Sequence, residues 1–255
     1  MASDPHAYGH YKGETTSKSV ARVLVWKQHA HLLPPGTFKA SPHVFLASRV
    51  AGDVATLSGM GVPSSHIWAV EKEREQYQHL LARRKREGFR LFPQKIETVM
   101  TSHTDANIRS VYLDYCGTVF GTASTTRRVV SLLPSCSVLS VTLFLGREHV
   151  RPGDREAVLL RQVRDATVHQ VTVVQSVLYA SSPDGSPFGS PMGTWTFYVG
   201  PSTSRSKMRF DLRGANTDVK RLATTSGAVA DFWQAHLTRA DVRCKAAVKA
   251  NQTRS

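Results

Sequence analysis

Between residues 41 and 165 the chain alternates short apolar runs with polar, helix-compatible stretches, and no other feature limits its fold as strongly. Val44-Phe45-Leu46-Ala47, Ile67-Trp68-Ala69-Val70, Phe89-Arg90-Leu91-Phe92, Val111-Tyr112-Leu113 and Ser137 to Leu145 (SVLSVTLFL) read as five strands. Helical spacing occupies Ala51 to Gly59, the charged segment Glu73 to Glu87 closed by Gly88, Thr122 to Leu133 closed by Pro134, and Pro152 to Asp165. Short apolar runs separated by helix-length inserts predict parallel strands buried on both faces, because each insert carries the chain back to the end of the sheet from which it started.

After residue 165 the order changes. Val168 to Ala180 (VHQVTVVQSVLYA) and Thr194 to Val199 (TWTFYV) are two strands joined by a Ser-, Pro- and Gly-rich loop with no helix between them, so they should pair antiparallel. The predicted fold class is therefore α/β: a doubly wound, mostly parallel seven-stranded sheet with a C-terminal antiparallel strand pair and helices on both faces. Residues 1–40 form an N-terminal arm and helix, in which Val20, Val23, Leu24, Trp26, His29 and Leu32 recur at three- and four-residue spacings before Pro34-Pro35-Gly36. Residues 41–204 form the sheet domain. Residues 205–255, with eleven Lys and Arg against four Asp, read as a basic C-terminal helical extension.

The chain carries 33 Lys and Arg against 19 Asp and Glu, a formal charge of +14. Such an excess points to a polyanionic partner, because each cation that neutralises a phosphate releases a condensed counterion; nucleic acid comes first and an anionic membrane surface second. No run approaches the ~18 apolar residues of a membrane span, and the first residues lack the apolar centre of a signal peptide. A soluble intracellular protein, cytoplasmic or nuclear, is expected. Cys116, Cys136 and Cys244 lie far apart without a CxxC pair, and no HExxH occurs, so no structural metal or disulfide framework is expected. The absence of GxxxxGK[ST] and GxSxG removes the phosphate-loop and serine-hydrolase readings.

In an open parallel sheet the ligand lies outside the carboxyl ends of the strands, where backbone amides and helix N-termini are exposed. Four segments fall there. The turn after the first strand, Ala47-Ser48-Arg49-Val50-Ala51-Gly52-Asp53, is small and close to backbone. Glu71 ends the second strand, where a carboxylate can accept two hydrogen bonds from ribose hydroxyls; its simpler role is a favourable charge at the start of the next helix. Gln94 or Glu97 follows the third strand, with Gln94 nearer its end. Asp114-Tyr115-Cys116-Gly117-Thr118 ends the fourth strand.

Strand order and these motifs together resemble the class I S-adenosylmethionine-dependent methyltransferases, whose sheet carries a reversed seventh strand. The resemblance spans about residues 41 to 200. It implies S-adenosylmethionine as cofactor, with Ala47, Ser48, Gly52 and Asp53 at its methionine end, Glu71 on its ribose and Gln94 at the adenine. Only Gly52 remains of the family's GxGxG signature, and Arg49 stands in the turn. It also implies a catalytic role for Asp114, Tyr115 and Gly117, since Asp114-Tyr115-Cys116-Gly117 is similar to the D/N-P-P-Y/F motif of amino-methylating enzymes and to the Asp-Pro-Phe-Gly form of the tRNA guanine methyltransferases. Both prolines are missing and the ring stands second. Cys116 lacks the Pro-Cys context of the cytosine C5 enzymes.

For the nucleic acid itself, Arg127 and Arg128 follow the Asp114 motif, Phe188 and Trp195 flank the loop between the last two strands, and Arg205, Lys207 and Arg209 begin the basic extension. The expected activity is methyl transfer to an RNA or DNA base. The alternative is a non-catalytic member of the fold that binds nucleic acid or serves as an accessory subunit with other proteins.

Overall fold

A computed structural model of the chain describes residues 16–48, 50–115, 117–145, 152–181, 190–201 and 208–211. Eight strands form one sheet: β1 (His43–Leu46), β2 (Ile67–Val70), β3 (Arg90–Phe92), β4 (Ser110–Asp114), β5 (Ser137–Phe144), β6 (Val171–Ser181), β7 (Ser190–Val199) and β8 (Met208–Asp211). Their spatial order is β3-β2-β1-β4-β5-β7-β6-β8. The first five are mutually parallel, with Val44 beside Trp68 and Val111. The β7 strand enters antiparallel to both β5 and β6, placing Val141 opposite Trp195.

The seven expected strands and the reversed C-terminal pair are therefore present. The short β8 was not foreseen. It pairs parallel to β6 within the segment read as a helical extension, so Arg209 lies in a strand. The reading of residues 217–249 as a helix lies outside the described residues.

Seven α-helices occur among the described residues: α1 (Thr16–Leu32), α2 (Thr37–Ala40), α3 (Gly52–Gly59), α4 (Arg74–Glu87), α5 (Ile96–Ser102), α6 (Ala123–Ser131) and α7 (Pro152–Arg164). Gly88 closes α4 in the left-handed conformation, with its N–H on the Arg84 carbonyl, which is why a glycine stands there.

Because side chains alternate along a strand, each strand sends odd and even positions to opposite faces. Val44, Trp68, Val111, Leu113, Leu139, Val141, Leu143, Trp195 and Phe197 pack against α5, α6 and α7 in one apolar core. Phe45, Ile67, Ala69 and Tyr112 turn the other way, toward α1, α3 and α4. The N-terminal helix belongs to that second layer: Val25 and Trp26 are fully buried against the sheet, and Val20 and Leu24 close over β6 and β7 beside Val177 and Met192.

Candidate active site at the carboxyl end of the sheet

The turn from β1 to α3 has the backbone that a glycine signature would favour. Ala51 is fully buried at φ 41 and ψ 43, the left-handed region, and its N–H closes a tight turn on the Ser48 carbonyl at 2.8 Å. A non-glycine residue there costs about 1–2 kcal/mol, and such conformations concentrate at functional sites. The Ser48 hydroxyl is buried with no partner, a donor and acceptor facing this turn. Ala47 donates its N–H to the Val70 carbonyl at 2.9 Å, which binds the turn to the end of β2. Arg49 lies outside the described residues.

Glu71 continues from β2, and its N–H reaches the Phe92 carbonyl at 3.0 Å. One carboxylate oxygen accepts the Glu73 N–H at 2.8 Å, so the residue does cap the entry to α4. Burial raises its carboxyl above the ordinary range. Gln94 is exposed beyond β3, and Glu97 is half-buried in the first turn of α5.

Asp53 belongs elsewhere. Its carboxylate is buried beneath α1, bound by Arg22 Nε at 3.0 Å and by the Trp26 indole N–H at 2.8 Å. The first turn of α3 points this side chain into the helix layer, away from the preceding turn expected to hold the cofactor. Burial raises its carboxyl, and the adjacent guanidinium opposes that rise.

At the end of β4, the parity that turns Tyr112 toward α1 turns Asp114 the same way. Lys18 of α1 meets its Oδ2 at 2.8 Å, while Oδ1 is buried and without a hydrogen-bond partner. The Asp114 side chain is 6% exposed. Lys18, Arg22, Trp26 and His29 recur at three- and four-residue intervals, so one stripe of α1 runs along the sheet from its carboxyl end inward. Sequence reading missed Lys18 and Arg22 because cations at such spacing ordinarily mark a solvated face; only the acids lying opposite, 96 and 31 positions away (114 minus 18 and 53 minus 22), give them partners.

Tyr115 takes the opposite parity. Its ring packs against the apolar core, its hydroxyl lies 3.5 Å from that of Thr126, and burial raises its pKa. It does not stand beside Asp114 as a stacking ring, which corrects the role implied by the motif. Gly117 accepts the Phe144 N–H at 3.0 Å, and a Cβ there would lie 2.9 Å from Thr122 Cγ2, so its small size serves close packing. Cys116 lies outside the described residues. Phe120, three residues on, is 61% exposed. An aromatic shortly after a strand-ending acid was the signal available for it.

Trp195 is likewise corrected: it is 3% exposed, sits in the apolar core and donates its indole N–H to Glu156 at 3.1 Å, so it offers no face to a base. Arg127 and Arg128 are exposed on α6. Phe188, Arg205 and Lys207 lie outside the described residues, as does the side chain of Arg209. No helix among the described residues is long and apolar enough to cross a membrane.

No protein-family model and no curated protein matches the chain in sequence. Among solved structures it is similar to a chain of the fibrillarin/Nop5p complex, with 13% identity and a TM-score of 0.50 over 76% of this chain and 91% of that one. It is also similar to precorrin-6y C5,15-methyltransferase from Geobacter metallireducens (13% identity, TM-score 0.48, 74% of this chain and 92% of that one). An rRNA methylase from Streptococcus thermophilus shares 13% identity at a TM-score of 0.45, over 69% of this chain and 95% of that one. The order β3-β2-β1-β4-β5-β7-β6 with its reversed β7, and the likeness to the chain of the fibrillarin/Nop5p complex, give a Rossmann-like fold, the one expected from the sequence.

Proposed function

We propose that the protein is an S-adenosylmethionine-dependent methyltransferase acting on a nucleic-acid base. The observation that carries the reading is Asp114: a buried carboxylate at the end of β4 whose Oδ2 is fixed by Lys18 and whose Oδ1 has no partner. A buried acceptor left unmet costs about 1–3 kcal/mol, so it marks a place where an incoming N–H or O–H is recognised.

The residues present fit the cofactor. The unpartnered Ser48 hydroxyl and the left-handed Ala51 turn suit its methionine end, and the second oxygen of Glu71 suits its ribose. When bound, S-adenosylmethionine supplies an electrophilic methyl group. The protein's part is positional: Asp114 Oδ1 accepts a hydrogen bond from the acceptor group, Lys18 holds the carboxylate in place, and Phe120 offers the ring on which a base stacks. The charge of +14 supports a polyanionic substrate, and Arg127, Arg128, Arg205, Lys207 and Arg209 are the cations assigned to its backbone.

Calorimetric titration with S-adenosylmethionine and with its demethylated product tests the cofactor. Methyl transfer from labelled cofactor to RNA, DNA and protein pools tests the substrate. Transfer to nucleic acid, lost in Asp114→Ala, is expected; no binding of either cofactor form at millimolar concentration overturns the enzymatic reading. The second reading, a non-catalytic nucleic-acid-binding or accessory subunit, is favoured by the ion pair that already engages Asp114. An Asp114→Ala protein with a normal fold and full biological activity would establish it.

A further inference from the structure

We propose a nucleic-acid-binding groove along the outer edge of β3, lined by Arg84 and Lys85 of α4 and by Gly88, Phe89, Arg90, Leu91 and Phe92. This deepens the nucleic-acid reading and rests on it. In sequence, Arg83-Arg84-Lys85-Arg86 looks like a solvated helix face balanced by nearby glutamates. The structure divides that run. Arg83 Nε bonds Glu87 at 2.7 Å, and another of its nitrogens reaches the Val50 carbonyl; Arg86 also reaches Glu87, at 3.2 Å. Glu87 is thereby occupied by two arginines that lie outside the groove.

Arg84, Lys85 and Arg90 remain. All three are exposed, they line one concavity of about 530 Å³, and no carboxylate lines it with them. No ion pair engages any of the three among the described residues. Arg90 Cζ lies 4.5 Å from the centroid of the Trp68 ring and 5.4 Å from that of Phe92, so two aromatic rings support its planar guanidinium. Such a plane can stack a base on its outer side while neighbouring cations take the phosphates.

The groove also leads toward the proposed active site. β3 is the terminal strand of the sheet, and the carbonyl of Phe92, the groove's last residue, accepts the Glu71 N–H. A strand lying in it would pass beside the residue assigned to the cofactor ribose. A three-residue strand edge, with Arg84 and Lys85 on the α4 side and Arg90 on the other, is too narrow to seat a duplex, so single-stranded nucleic acid, or a strand splayed from its partner, is the ligand the groove fits.

Fluorescence anisotropy with a labelled single-stranded 12-mer, as RNA and as DNA, tests the assignment at several salt concentrations. Arg84→Gln/Lys85→Gln/Arg90→Gln should weaken binding at least about tenfold at low salt and flatten the dependence of log affinity on log salt by about 1.4, the loss of two phosphate contacts on a single strand. Arg84→Gln/Lys85→Gln, which leaves the Arg90 stack in place, should give an intermediate loss. Unchanged circular dichroism and unchanged S-adenosylmethionine affinity would show that the fold and the cofactor site are intact. Wild-type affinity in both variants overturns the groove alone and leaves the nucleic-acid reading standing. A wild-type chain that binds neither RNA nor DNA overturns both. Displacement of the RNA by polyglutamate at equal charge concentration would reassign the groove to an acidic peptide and overturn the proposal.

Discussion

On the side covered by α5, α6 and α7, strands β4, β5 and β7 present Val111, Leu113, Leu139, Val141, Leu143, Trp195, Phe197 and Val199. On the side covered by α1, the intervening positions of the same strands present Ser110, Tyr112, Asp114, Ser140, Thr142, Thr194 and Thr196. Both sides are buried, yet one is held by dispersion and the hydrophobic effect and the other by hydrogen bonds and ion pairs. The polar side is the more exacting, because a buried donor or acceptor that loses its partner pays its full desolvation cost.

Its hydrogens are ordered by a single carbonyl. Phe38 O can only accept, so His43 carries its proton on Nε2, 2.5 Å away. His43 Nδ1 must then accept from the Ser110 hydroxyl at 2.8 Å, Ser110 Oγ accepts from His29 Nδ1–H at 2.8 Å, and His29 Nε2 accepts from Ser140 at 2.8 Å. Cross-strand hydroxyl pairs continue the arrangement, Ser140 with Thr196 at 2.7 Å and Thr142 with Thr194 at 2.6 Å. Every member of this chain depends on both histidines being neutral.

The sharpest test of the contrast is the buried ion pair. Asp53→Ala strands Arg22 and the Trp26 indole beneath α1 and should cost about 3–5 kcal/mol in urea unfolding. Phe197→Ala on the apolar side should cost a similar 3–5 kcal/mol by a different route, a cavity. The two losses separate in acid and salt, to which only the ion-pair variant's difference from wild type should respond.

Acid comes next. Burial lowers His29 well below its ordinary pKa and lowers His43 to about 4. The unfolded chain therefore binds more protons than the folded one below pH 6.5, and stability is lost as pH falls from that value toward 4. His43 alone contributes about 3 kcal/mol of this loss. Thermal melting across pH 7.5 to 4 should show the decline; a flat profile would mean that the polar layer admits protons freely.

Smaller effects distinguish single atoms. Ser140→Ala removes one oxygen and leaves His29 Nε2 without its donor, for about 1–3 kcal/mol. Trp195→Phe keeps the apolar packing, loses only the bond to Glu156, and should cost under about 1.5 kcal/mol with no change in nucleic-acid affinity. A larger loss of affinity than of stability would return Trp195 to the binding surface.

The alternation of strands and helices was legible because its signal is local: apolar runs, helix-length inserts and a helix-free loop before β7 suffice to predict parallel strands and one reversal. The places of Glu71 and Asp114 were legible for the same reason, since one directly follows β2 and the other ends β4. Asp53 is different because the first turn of α3 already points its side chain beneath α1, to Arg22 and Trp26. Tyr115 and Trp195 were misread because an aromatic beside a polar loop looks available until strand parity sends it into the core. The groove at β3 was invisible, since its cations divide from Arg83 and Arg86 only when Glu87 chooses between them.

The sequence by itself determined the alternation of strands and helices, the reversed C-terminal pair, the positive charge and the strand-end acids. Tertiary structure decided that α1 is part of the core, that Lys18 holds Asp114, and that Arg84, Lys85 and Arg90 share one groove. Periodicity is written in neighbouring residues, whereas the pairing of charges distant along the chain exists only after the backbone has brought them within a few ångströms.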